Sequence, residues 1–80
     1  MKFLYSRTSI KYLQKLERGV VRKIIEAIEK LPFEGDISKL KSKKAKNIFR
    51  LRIGKFRVIY FFEKEIVKII KIDTRGDVYK

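Results

Sequence analysis

The sequence has neither cysteine nor histidine, and it has one proline in 80 residues. Without cysteine there are no disulfides and no thiolate metal sites, and without histidine the commonest metal ligand and proton shuttle is missing. We therefore expect no metal and no cofactor. No stretch approaches the roughly 18 consecutive apolar residues of a membrane helix. The first residues also lack the apolar run of a signal peptide, so we expect a soluble, cytoplasmic protein.

Acidic residues are also scarce, because 9 aspartates and glutamates stand against 22 lysines and arginines, a net charge of +13. A charge of this size destabilises the compact state by self-repulsion and indicates a polyanionic partner. Residues 39–57 contain no acid and nine basic residues: Lys39, Lys41, Lys43, Lys44, Lys46, Arg50, Arg52, Lys55 and Arg57. The bias of a lysine-rich proteome would not separate the signs in this way, whereas a phosphate-binding patch would.

The first half of the chain predicts one strand and two helices. Residues 2–6 are short, aromatic and apolar, as in a strand. Apolar residues then recur at helical spacing in two stretches, Ile10, Leu13 and Leu16, followed by Val21, Ile24, Ile25, Ile28 and Leu31. We predict that Thr8 or Ser9 caps the first helix and that Gly19 ends it. Pro32 closes the second helix, and residues 33–46 form a connection with a turn at Gly35-Asp36.

From residue 47 the apolar period becomes two, which predicts strands. Gly54-Lys55 interrupts the alternation and fits a type II′ hairpin turn, and residues 66–72 form a third strand. The expected fold is α+β: one domain over residues 1–80 in the order strand, helix, helix, three strands, with an antiparallel sheet and both helices on one face.

Pairing the hairpin across Gly54-Lys55 sets Arg52 opposite Arg57 and puts Arg50 on the same face. Like charges directly opposite one another are unfavourable unless an anion sits between them, so removing Arg52 or Arg57 should not destabilise the fold. Arginine also binds phosphate through a bidentate fork. The alternative is a solvated sheet face whose arginine stems cover Ile59 and Phe61. Three arginines beside an acid-free lysine run favour an anion site.

Three segments resemble the RelE/ParE toxin superfamily: the hairpin of residues 48–60, the preceding residues 39–41 and the tail of residues 75–79. The resemblance spans the chain and implies a toxin that cleaves mRNA in the ribosomal A site and is inhibited by a RelB-like antitoxin. By position it implies catalytic roles for Arg50, Arg52, Arg57, Arg75 and Tyr79. We expect the lysines at 39, 41, 43, 44, 46 and 55 to contact RNA phosphates.

The chain departs from the family pattern in ways that leave the proton-transfer groups open. The best-known members have lysine at positions 50 and 52, many have histidine at position 74, and the subgroup that uses a glutamate and histidine pair is excluded here. Candidates for proton transfer are Asp73, Asp77, Tyr79 and the lysines at 43, 44 and 46. Two other functions remain open. One is a ParE-like toxin that inhibits gyrase, and the other is a non-enzymatic RNA-binding module, for which only Phe61 offers a stacking ring.

Overall fold

The computed structural model of the protein describes residues 1–40 and 46–74. These residues form two helices and five strands in the following order: β1 (Lys2–Tyr5), α1 (Arg7–Gln14), α2 (Arg18–Glu29), β2 (Asp36–Lys39), β3 (Ile48–Ile53), β4 (Phe56–Glu63) and β5 (Ile66–Thr74). The expected α+β class and the order strand, helix, helix, strands are confirmed. Within the described part of the chain, no helix has the length and apolar character needed to cross a membrane.

The strands form one sheet in the order β1-β5-β4-β3-β2. β2, β3, β4 and β5 pair antiparallel with their neighbours, but β1 runs parallel to β5. The sheet is therefore mixed, and it departs from the predicted antiparallel sheet at the β1–β5 pair. The parallel pair arises because the two helices carry the chain across the sheet before it returns, as parallel neighbours require.

The strand β2 was missed, since we predicted that residues 33–46 would be a connection. Asp, Ser and Lys are poor strand formers, and Ile37 is the one apolar residue in the segment. The strand nevertheless pairs with β3 along its length, with Ile37 opposite Leu51 and packed on the core. Gly35, at φ +130°, leads into it and lies so close to Leu51 that a Cβ would meet its Cδ1 at 2.6 Å.

The helix ends also differ from the prediction. Ser6, rather than Thr8 or Ser9, caps α1, because its hydroxyl accepts a hydrogen bond from the Ser9 backbone NH at 3.1 Å. The first helix ends at Gln14, and Gly19 lies inside α2 instead of ending α1. Apart from its chain neighbours and the backbone of α2, no described atom lies within 4 Å of the position of a Gly19 Cβ, so nothing in the packing there requires a glycine.

The core lies between the helices and one face of the sheet. Its buried residues are Ile24, Ile28, Leu31, Leu51, Val58, Tyr60, Val67, Ile69 and Ile72. Tyr12 and Leu13 of α1 and Leu16 just after it pack on this cluster, whereas Ile10 is 44% exposed and does not. Both helices therefore contribute to a core on one side of the sheet, and the other side carries the arginines.

Candidate functional site

The β3–β4 hairpin has the register that the sequence predicts. Ile53 pairs with Phe56, Arg52 with Arg57, and Arg50 with Ile59. Gly54 has φ +57° and Lys55 does not have a positive φ, as a type II′ turn requires. Because side chains alternate along a strand, Arg50, Arg52 and Arg57 share the face that points away from the core. We call this side of β2 to β5 the arginine face.

Two adjacent rows of residues run across the arginine face from β2 to β5. The first row is Asp36, Arg52, Arg57 and Asp73, and the second is Ser38, Arg50, Ile59 and Lys71. Four positive and two negative side chains give these rows a net charge of +2, and the second row has no acid. The excess of positive charge therefore lies in the row of Arg50 and Lys71.

The two opposed arginines of the first row each have a carboxylate beside them. Arg57 donates from Nε and from Nη2 to the two carboxylate oxygens of Asp73, both at 3.0 Å. Arg52 donates from Nε to Asp36 Oδ2 at 2.9 Å. The repulsion inferred from the sequence is thus offset by aspartates of the same chain, one on each strand that flanks the hairpin. This corrects our argument that an external anion is needed to hold Arg52 opposite Arg57.

The second row contains a donor without a partner. Arg50 Nη2 lies 3.5 Å from Ser38 Oγ, at the limit of a hydrogen bond. Its Nε is buried and has no hydrogen-bond partner among the described residues. Leaving a buried donor unsatisfied costs about 1–3 kcal/mol, and more for a charged group. Because this Nε is shielded from solvent, it is not open to an anion bound from outside.

Asp73 is held in its ionised form. The hydrogen bonds from Arg57 lower the pKa of Asp73 more than its partial burial raises it, and the charges of Arg57 and Lys71 act in the same direction. Lys71 Nζ lies 3.5 Å from Asp73 Oδ2. A carboxylate of lowered pKa is a weak base, so Asp73 is better suited to orient Arg57 than to accept a proton from RNA.

The predicted phosphate-binding lysines do not all lie on the arginine face. Lys46 is exposed just before β3. Lys39 pairs with Phe49, so its side chain leaves edge strand β2 on the helix side. Lys55 also turns to that side, with Nζ 5.6 Å from the centre of the Phe56 ring. The other predicted site residues, Lys41, Lys43, Lys44, Arg75 and Tyr79, together with Asp77, lie outside the described residues.

Helix α1 is tied to the end of β5. The hydroxyls of Tyr12 and Thr74 are hydrogen bonded, and Tyr12 also packs edge-on against Phe56 with ring centres 6.5 Å apart. Thr74 directly precedes Arg75 in the sequence. Thr74, the last described residue, is therefore anchored to α1. Among the described residues, no group of three or more acidic side chains is placed to hold a metal ion.

Sequence reasoning missed Asp36, Ser38 and Lys71 as members of this face, and it left Asp73 unplaced. Regular pairing across the turn at residues 64–65 would set Ile72 opposite Arg57. A bulge in β5 shifts the register after Ile69, so that Asp73 takes that place. The signal was present, because the buried residues of β5 are spaced by two from Val67 to Ile69 and then by three to Ile72.

Known proteins resemble this chain in structure but not in sequence family. No family model and no curated protein matches the sequence. The structure, however, matches RelE in its complex with RelB from Pyrococcus horikoshii at 28% identity, covering 94% of each chain with a TM-score of 0.75. It matches the toxin-antitoxin complex RelBE2 from Mycobacterium tuberculosis at 26% identity and a TM-score of 0.75, covering 95% of this chain and 92% of the other. YoeB from Staphylococcus aureus gives 23% identity and a TM-score of 0.69, with coverages of 89% and 92%.

The chain therefore has the fold of the RelE-type toxins over nearly its whole length. This confirms the resemblance to the RelE/ParE toxin superfamily that the β3–β4 hairpin indicated.

Proposed function

We propose that this protein is the toxin of a toxin-antitoxin pair and an endoribonuclease that cleaves mRNA in the A site of the ribosome. The observation that carries the proposal is the arginine face itself. Three arginines are brought together on two central strands, on the face that points away from the core. A phosphodiester fits such a surface, because guanidinium groups bind phosphate oxygens through paired hydrogen bonds.

The chemistry that suits this face is attack of an RNA 2′-OH on the adjacent phosphate. A new P–O bond to the 2′ oxygen forms as the bond to the 5′ oxygen of the next nucleotide breaks. The 2′-OH proton passes to a base, and the leaving 5′ oxygen takes up a proton. The phosphorane that develops carries more negative charge than the phosphodiester, so positive groups fixed beforehand stabilise the transition state more than the ground state. Arg50, Arg52 and Arg57 would supply this charge, and Asp73 would fix the orientation of Arg57.

The described part of the site has few groups that could transfer protons. Lys46 is the only described member of the proposed acid and base set other than Asp73, whose lowered pKa makes it a poor acceptor. A site of this kind depends on exact placement of the RNA for its rate. A ribosome that holds the codon with its 2′-OH in line with the scissile bond would supply that placement, since positioning alone can contribute about 7–11 kcal/mol.

The proposed partners are an antitoxin, the ribosome and mRNA. The solved relatives from Pyrococcus horikoshii and Mycobacterium tuberculosis are complexes of a toxin with an antitoxin. We propose that a RelB-like antitoxin with an acidic or amphipathic segment covers the arginine face or the flanking helices. Expression of the chain alone should then arrest growth, and co-expression of the neighbouring antitoxin should relieve the arrest. Harmless expression at a high level would contradict this.

The cleavage itself is tested by mapping mRNA 5′ ends in a translating extract with and without the protein. We expect new ends within codons for the wild-type chain and for Arg22→Ala, a control on an exposed position of α2. Arg57→Ala should lose them, because it removes a phosphate-binding group. If no new ends form and gyrase is inhibited instead, the ParE-like function replaces this one. If neither occurs, the chain is a binding module.

A further inference from the structure

A basic groove lies between α1 and the second half of β5, beside the arginine face. It has a volume of about 360 Å³ and is lined by Thr8, Lys11, Tyr12, Lys15, Lys71 and Asp73 above a floor formed by Ile72. β1 pairs with β5 only as far as Ile69, so the end of β5 is bordered by α1 instead of by another strand. None of the lysines of this groove was singled out by the sequence pattern.

The helix side of the groove carries a regular row of positive charge. Lys11 and Lys15 are one turn apart, about 6 Å along the axis, and therefore lie on the same side of α1. Both are exposed. Arg7 continues the row by one more turn, and α1 has no acidic residue. Nothing within the helix neutralises this row.

The strand side of the groove connects it to the arginine face. Lys71 belongs to the same row of the sheet as Arg50, and its Nζ lies 3.5 Å from the Asp73 carboxylate that also binds Arg57. The negative charge of Asp73 is thus compensated by two basic side chains. A polyanion lying on Arg57 and Lys71 can continue to Lys11 and Lys15 without crossing an uncompensated acid.

We propose that this groove is a second binding site for the phosphate backbone of RNA, and that it holds the strand on one side of the phosphate bound at the arginine face. The inference rests on the proposed function, because it assigns more of the same substrate to a neighbouring surface. RNA is favoured over an acidic protein segment because the groove continues the positive row of Arg57 and Lys71 on the arginine face, where the one acid, Asp73, is already bound by both of them.

The test measures binding of single-stranded RNA that carries 2′-O-methyl groups and so cannot be cleaved. Oligonucleotides of about 4 and about 12 nucleotides span the usual range of single-strand site sizes. The variant is Lys11→Gln with Lys15→Gln. The matched control is Lys23→Gln with Lys30→Gln, which removes the same charge from exposed positions of α2; Lys30 caps that helix as Lys15 caps α1.

The wild-type protein and the control should bind the long RNA more tightly than the short one. The groove variant should bind the two RNAs with similar affinity. The slope of log affinity against log salt should fall by about 1.4 in the groove variant, at about 0.7 for each lost phosphate contact to a single strand. The ratio of the wild-type affinity to the affinity of the groove variant should therefore fall about sevenfold between 50 and 200 mM salt.

Equal losses of RNA affinity in both double variants would overturn the proposal, because the net positive charge of the protein would then explain the binding without a specific groove. Unchanged RNA binding in the groove variant would overturn it as well, and a loss of antitoxin binding in its place would assign the groove to the protein partner. Since no cleavage is measured, failure here leaves the cleavage proposal standing. Conversely, a failure to detect mRNA cleavage in the translating extract would leave the RNA-binding comparison of the groove variant and its control unchanged.

Discussion

The ion pair between Arg57 and Asp73 gives a prediction in which the structure reverses the expectation from the sequence. From strand pairing alone, Arg57→Ala should relieve repulsion with Arg52 and leave the fold as stable as before or more so. In the structure, Arg57 makes two hydrogen bonds of 3.0 Å to Asp73 across the β4–β5 pair. We therefore expect Arg57→Ala to destabilise the protein.

The size of the effect follows from the exposure of the pair. The side chains of Arg57 and Asp73 are 30% and 22% exposed, between a surface pair and a buried one. We expect a coupling free energy of about 1–2 kcal/mol for a bidentate pair in this setting. Relief of the like-charge contact with Arg52 returns about 0.2–1 kcal/mol. The net loss should be about 1 kcal/mol, a fall in Tm of about 4–8 °C for a domain of this size.

Urea melts of wild type, Arg57→Ala, Asp73→Ala and the double variant isolate the coupling as a double-mutant cycle. Arg52→Ala is the matched comparison, because its pair with Asp36 is 42% and 54% exposed and should be worth only about 0–1 kcal/mol. A coupling near zero between Arg57 and Asp73, or an Arg57→Ala variant more stable than wild type, would refute the reasoning.

The same pair predicts a pH dependence of fixed sign. The pKa of Asp73 is lowered in the folded protein, from an ordinary value of 3.8, mainly by the hydrogen bonds from Arg57. The stabilisation that ionised Asp73 contributes is therefore complete when the pH is above the pKa of Asp73 in the unfolded chain. It is lost as the pH falls through the pKa of Asp73 in the folded protein. The stability difference between wild type and Asp73→Ala should be constant near neutral pH and should shrink only below about pH 4. A difference that shrinks above about pH 5 would contradict this.

Further predictions concern the scaffold; three substitutions can be checked in the same urea melts and one ionisation by titration. Gly35→Ala should lose about 1–3 kcal/mol, because its φ of +130° is strained for any side chain and its Cβ would displace Leu51 Cδ1, whereas Gly19→Ala in open space should gain about 0.5–1 kcal/mol. Tyr60→Phe should be neutral or stabilising, because the buried hydroxyl has no partner in the described part of the chain; a loss above about 1 kcal/mol would reveal one. Burial raises the pKa of Tyr60 to about 12 and also raises the pKa of Tyr5, so the last ionisation in an ultraviolet titration of the wild type should be absent from Tyr60→Phe.

How much the sequence could predict depended on how local each feature is. The β3–β4 register follows from a two-residue turn at Gly54 and from strict alternation on both sides, so the face shared by Arg50, Arg52 and Arg57 was predicted correctly. The turn between β4 and β5 is formed by Lys64 and Glu65, both with positive φ, and no glycine marks it. Its position still followed from the polar break between two apolar runs.

What the sequence could not predict depended on long-range pairing. β2 has too few apolar residues to be recognised alone, and it is defined by its pairing with β3 and by the Asp36–Arg52 contact. Asp73 reaches Arg57 only through the bulge in β5. The two carboxylates that bind Arg52 and Arg57 therefore come from strands whose register cannot be read from their own residues. The early end of α1 was hidden because Leu16, after the helix, still packs on the core.

The measurement that tests the central claim most directly compares cleavage of one mRNA as naked RNA and on translating ribosomes, with wild type and with Arg52→Ala and Arg57→Ala. If the arginine face stabilises the phosphorane and the ribosome positions the RNA, wild type should cut ribosome-bound mRNA far faster than naked RNA. Both variants should lose the ribosome-bound rate while still binding the antitoxin. Equal rates on the two substrates, or full ribosome-bound activity in Arg57→Ala, would contradict the account.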